Sequence, residues 1–162
     1  MSPLLIGAST FITLALVFYT AGVFLERSRG TLKLSYVALF WCGLICDSTG
    51  TFLMGRIAAD GGQGVSPVHG VTGAIAIGLM AIHAVWALVA CVRRNPERMA
   101  TFHRFSTAVW LVWLVPYLTG MLMGIPALGF GPVPAIVTSV VVVAVLAALL
   151  FRGTIRNARQ ES

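Results

Sequence analysis

Polar positions in this chain are sparse and bunched, and the apolar stretches between them have the length of membrane-crossing helices. The first 25 residues carry no charge, and the cluster Glu26, Arg27, Ser28, Arg29, Gly30 follows them. A second apolar stretch covers residues 34–55 and holds one acid, Asp47. Residues 56–65 (RIAADGGQGV) are glycine-rich and read as a loop. Ser66-Pro67 and Asn95-Pro96 each set an N-capping side chain before a proline, a start signal for a helix. They open helices over 67–92 and 96–124. Two glycines and three prolines within residues 125–134 predict a turn. A fifth stretch, 135–151, is rich in valine, alanine and leucine and ends in a basic tail with Arg152, Arg156 and Arg159. At about 20 apolar residues per crossing, the pattern predicts an all-α polytopic transmembrane bundle. Its five spans lie at about 3–25, 34–55, 67–92, 96–124 and 135–151, in a single integral membrane domain over 1–162. The first stretch lacks a basic leading region and a small-residue cleavage site, and its apolar run is too long for a signal peptide.

Composition narrows the function classes. Of 162 residues 58% are hydrophobic and 10% charged, where soluble domains carry about a quarter charged. A water-soluble enzyme, a disordered chain and a nucleic-acid-binding protein are thereby excluded as readings. The short loops leave no separate soluble domain, so chemistry must sit between helices. No Ser/His/Asp arrangement, phosphate loop or zinc spacing is present, and the chain does not read as an enzyme. The net charge of +6 matters through its placement. Arg27, Arg29, Lys33, Arg93, Arg94, Arg98, Arg104, Arg152, Arg156 and Arg159 fall on one side of the predicted topology, and Arg56 on the other. The positive-inside rule then predicts an outer amino terminus and a cytoplasmic carboxyl terminus.

The third span carries a stripe of small residues and two histidines: His69, Gly73, Ala76, Met80, His83, Ala87 and Ala90 share one face. A neighbouring helix or a flat porphyrin could approach such a face. Counted from the turn at Arg94-Asn95, His83 and His103 fall within about 5 Å of the same depth in an antiparallel hairpin. Bis-histidine ligation of heme iron needs that register, and Arg93, Arg94, Arg98 and Arg104 at the same end suit the propionates. The plainer reading is that these histidines hydrogen-bond between helices and that the arginines follow from topology. The spacing of His69 and His83, which recurs in two-heme membrane cytochromes, leaves a second heme open, with Met54 or Met121 beside His69. Asp47 lies deep in its span, where a charge is expensive, on a face with Gly43, Gly50, Thr51 and Met54. It is expected to accept the free N–H of His83 or to make a structural bond; a proton-coupling carboxylate is the third reading. Cys42, Cys46 and Cys91 read as small core residues. Trp86, Trp110, Trp113 and Tyr117 suit either a heme pocket or helix packing.

The strings ALVFYTAGVFLER, FWCGLICDSTGTFLMGRIA, HGVTGAIAIGLMAIHAVWA and FHRFSTAVWLVWLVPYLTGM resemble the bacterial heme-sensing membrane protein family of the HsmA type, over residues 15–123. The motifs are D-x-x-G on the second span, H-G and H-A-x-W-A on the third, and F-H-x-F-S on the fourth. The resemblance implies a multi-pass protein of the bacterial inner membrane that binds heme and lessens heme-linked or oxidative stress. The family's histidines correspond to His69, His83 and His103, and its acid to Asp47. The fifth span and its tail lie outside the resemblance. The expectation is therefore a bundle holding heme b, one with a second left open, between the third and fourth spans. His83 and His103 are its expected axial ligands and Asp47 their support. Exchange of electrons with a quinone or another redox partner, and the oligomeric state, stay open. Two other classes compete: a small proton-coupled transporter or drug-resistance protein built on Asp47, and an accessory subunit of a larger membrane complex.

Overall fold

The computed structural model describes residues 3–61, 67–93, 96–125 and 128–160; within these, the side chains of 67, 68, 96–101 and 153–160 are left undescribed. The described chain is all-helical: α1 (Pro3–Arg29), α2 (Leu34–Asp60), α3 (Pro67–Arg93), α4 (Pro96–Gly124) and α5 (Pro132–Gln160). All five are long and apolar enough to cross a membrane; the 27 residues of α1 reach about 40 Å at the usual helical rise. Four of the five begin at a proline, whose missing N–H costs nothing in the first turn.

Three helices differ in their bounds from the sequence expectation. α1 continues to Arg29, so Glu26 lies inside the helix and not in a loop after it. α2 runs on through Arg56 to Asp60, because Arg56, Ile57, Ala58 and Ala59 suit a helix and glycines begin only at Gly61. α5 starts at Pro132, since prolines are tolerated in a first turn, and its basic tail stays helical to Gln160.

The chain forms two compact units, Met1–Trp113 and Leu114–Ser162. In the first, α1 and α2 make a tight hairpin. Gly30 sits at φ 61° and its N–H donates to the Glu26 carbonyl at 3.1 Å, a left-handed cap that ends α1. The extended Lys33 then begins α2. Close approach of the pair rests on glycine: a Cβ on Gly43 would lie 2.5 Å from the Tyr19 ring, and one on Gly22 would lie 2.5 Å from the Phe40 ring.

Buried positions in this unit follow seven-residue spacing. On α1 they include Ala8, Ala15, Tyr19, Gly22 and Glu26; on α2 Tyr36, Phe40, Gly43, Asp47 and Gly50. On α3 Ala76, Met80, His83, Ala87 and Ala90 are buried, and on α4 Phe102, Ser106, Val109 and Trp113. Side chains that miss these stripes point outward and are often large and apolar, as at Phe52, Ile45, Val71 and Val92. Water would penalise so much exposed apolar surface, whereas lipid would not.

In the second unit, which contains the end of α4 and all of α5, the Thr119 hydroxyl lies 3.1 Å from that of Ser139. Each also donates to a carbonyl one turn earlier on its own helix, Thr119 to Val115 and Ser139 to Ala135.

Candidate functional site

The polar core of the first unit lies in two layers. The first is near the end where α1 turns into α2. Glu26, fully buried, faces the imidazole of His103 on α4, its Oε1 in contact with Nδ1. Such a contact holds one proton between two bases, as carboxylate with imidazolium or as carboxylic acid with imidazole. Ser106, one turn beyond His103, lies beside the same carboxyl group and makes a 3.0 Å hydrogen bond with Nε2 of His83. His103, Glu26, Ser106 and His83 thus stand in sequence, with a direct contact at each end and Ser106 beside the carboxyl group between them.

Aromatic side chains close this layer. His83 is fully buried; its ring stacks on Phe102 at 5.2 Å between centroids and meets the edge of Phe40 at 4.4 Å. Two buried atoms of the layer, Nδ1 of His83 and Oε2 of Glu26, have no hydrogen-bond partner. Leaving such groups unmatched away from water is costly, which sets this layer apart from ordinary packing.

The second layer lies deeper along the helices. Trp113 on α4 donates its indole N–H to Oδ2 of Asp47 at 2.8 Å, and Tyr19 meets the Trp113 ring edge-on at 5.0 Å. Tyr19 is fully buried and its hydroxyl has no hydrogen-bond partner. A second strap links α4 to α1, the Trp110 indole donating to Thr20 at 3.2 Å.

Against this geometry the expected site residues divide. His83 and His103 lie on adjacent helices about one polar layer, yet each already has a protein partner. Asp47 does not serve His83: its oxygen accepts from Trp113, and the imidazole is held by Ser106. Depth alone had suggested the first pairing, but the two residues occupy different layers. His69 is half-buried, with an unpartnered Nδ1. Met54 is half-buried too, while Met121 belongs to the other unit. Arg93 and Arg104 are exposed; Arg94, and the side chain of Arg98, fall outside the described residues.

Trp110 and Trp113 serve as hydrogen-bonding straps between helices, and Trp86 packs on Phe105 at 4.5 Å. The cysteines are free, and Cys42 faces outward instead of filling the core. Among the described residues no group of three or more His, Cys, Asp or Glu could hold a metal ion, a pattern that a two-histidine heme site would not require.

Glu26, Ser106 and Tyr19 were missed by sequence reasoning. For Glu26 a signal existed: it continues the Ala8, Ala15, Gly22 stripe at helical spacing, on the buried face, although it stands beside two arginines. Comparison with family models, with curated proteins and with solved structures finds no match to the chain.

Proposed function

We propose that this chain is a multi-pass membrane protein that takes up protons at the Glu26–His103 pair and couples them to movement of a small solute. The observation that carries the reading is a fully buried glutamate in contact with a histidine of another helix. An ionisable pair inside a membrane helix bundle is expensive and marks ion or proton pathways. The His103 side chain is 23% exposed and stands at the first residues of the apolar span of α4, the end at which the pair would exchange protons with the medium. From there a proton on Glu26 passes to Ser106 Oγ as the Ser106 hydroxyl proton passes to His83 Nε2. The transporter reading of the sequence is thus retained, with Glu26 as the acid at which protons enter. Applied to the basic residues, the positive-inside rule puts the carboxyl terminus and this layer on the cytoplasmic side of a bacterial cell membrane.

The test uses proteoliposomes holding a stable pH gradient reported by a fluorescent amine. Organic cations, organic anions and neutral solutes are added in turn. One class should collapse the gradient, and Glu26→Gln should abolish the collapse while the protein stays monodisperse. If no class collapses it, or Glu26→Gln behaves as the parent, the reading fails.

Heme binding is the second reading, favoured by two histidines flanking one polar layer on adjacent helices and by the sequence resemblance. Two imidazoles on one iron need their nitrogens about 4 Å apart, from metal–nitrogen bonds of about 2 Å, with a porphyrin between them. Phe102 and Ser106 fill the space against His83, and Glu26 holds His103. The residues as packed do not fit the group; binding would require Phe102 to leave His83 and both imidazoles to exchange partners. Oxidised and dithionite-reduced spectra of protein purified after growth with heme decide it. Sharp reduced bands lost in both His83→Ala and His103→Ala would replace the proton reading of this layer with heme ligation.

A further inference from the structure

The two polar layers repeat at one interval on two helices. Glu26 and Tyr19 on α1, and Ser106 and Trp113 on α4, are each seven residues apart, about 10.5 Å along the axes, and on α2 Asp47 stands in the second layer alone. On α3 the same step leads from His83 to Ala76. Between the layers stand apolar side chains. Phe40 is fully buried, its ring over Gly22, and Met80 on α3 is fully buried as well.

The second layer has chemistry of its own. Asp47 carries one indole hydrogen bond on Oδ2 and lies within electrostatic reach of the Tyr19 hydroxyl. That hydroxyl is buried without a hydrogen-bond partner. Cys46 adjoins Asp47 on its own helix. The level stretches of α3 (residues 73–80) and α4 (residues 109–113) carry no titratable side chain. No cation therefore neutralises Asp47 from these neighbours, and a proton is the counter-charge at hand.

We propose that Asp47, with Tyr19 and Trp113, is a second proton-binding station, and that Phe40 and Met80 form the apolar barrier separating it from Glu26–His103. This deepens the proton-coupling reading and rests on it for the role of the first station. The unpartnered polar atoms of His83 and Tyr19 belong to the layers on either side of the barrier. A proton crosses only when Phe40 or Met80 moves and water joins the two layers, so the stations fill separately.

Infrared difference spectra of the purified full chain across a pH step count the stations. The parent should show two protonated-carboxyl bands. Asp47→Asn should remove one and leave the other in place, and Glu26→Gln should do the converse. If Asp47→Asn removes no band, or either substitution removes both, the second station is overturned. Loss of the Glu26 band alone from the parent would overturn the first station and leave the second standing.

Barrier function is read in proteoliposomes under a potassium–valinomycin potential. Phe40→Ala should raise proton leak at least tenfold over the parent, and Phe40→Ala with Asp47→Asn should return it to the parental rate. Met80→Ala serves the same purpose if Phe40→Ala does not fold. A leak that persists without Asp47, or no leak in either variant, would overturn the barrier.

Discussion

Buried polar groups are handled differently in the two units. Past Trp113, the Thr119 and Ser139 hydroxyls donate to carbonyls of their own helices and lie 3.1 Å from each other. Those hydroxyls are matched locally, and deleting one removes little. Before Leu114, Glu26, His83 and Tyr19 are buried with polar atoms left without hydrogen-bond partners, and Asp47 is matched by a residue of another helix. Hydroxyls in the second unit do structural work that an apolar core could replace. The ionisable groups of the first unit are held at a cost that local matching does not offset.

Five substitutions test that contrast. His103→Ala should have the largest effect. It leaves the buried Glu26 carboxyl without its partner, at about 3 kcal/mol, the lower end for breaking a buried pair because His103 is partly exposed. In SDS unfolding from mixed micelles the midpoint should drop sharply, and adding Glu26→Leu should recover most of the loss. A pair of single substitutions that simply add would show that the contact has no energetic weight. Gly43→Val comes next. Its side chain would enter the Tyr19 ring, at about 2 kcal/mol for overpacking, and Tyr19→Ala in the same chain should relieve most of that cost. No relief would place the strain elsewhere.

Asp47→Ala should cost about 1–2 kcal/mol, because the Trp113 indole N–H loses its acceptor, whereas Asp47→Asn retains an oxygen and should unfold near the parent. Equal effects of the two would sink the indole–carboxylate bond as a stabilising contact. Thr119→Val and Ser139→Ala should be mildest, each about 0.5–1 kcal/mol. Should either exceed the effect of His103→Ala, the contrast between the units would be reversed.

Much of the scaffold was legible because spans declare themselves by length and by proline at their starts. The α3 stripe was equally legible: small residues at alternating fours and threes mark a face that a neighbour approaches, and Ala76, Met80, His83, Ala87 and Ala90 are buried together. Helix ends were less so, since Arg56 and Arg152 look like boundaries although charged residues extend helices well beyond an apolar core. The site itself was half legible. Hairpin counting brought His83 and the start of α4 into register, and Ser106 beside His103 does touch His83. It could not reveal that Phe102 fills the gap, because ring packing depends on rotamers and on Phe40 from a third helix. Glu26 was hidden by its neighbours: beside Arg27 and Arg29 it reads as one end of a surface cluster, and its partner stands three helices later.

The Gly30 turn has a consequence for biosynthesis. A connection this short lets α1 and α2 insert as a hairpin before α3 and α4 have been made. Glu26 is already at its final depth in that hairpin, while His103 and Ser106 are still to be synthesised. On that route the nascent protein would carry an unmatched carboxyl group through two further insertion steps. Chains truncated after α3 should be cleared by membrane quality control faster than the full chain, and Glu26→Leu should lengthen their survival.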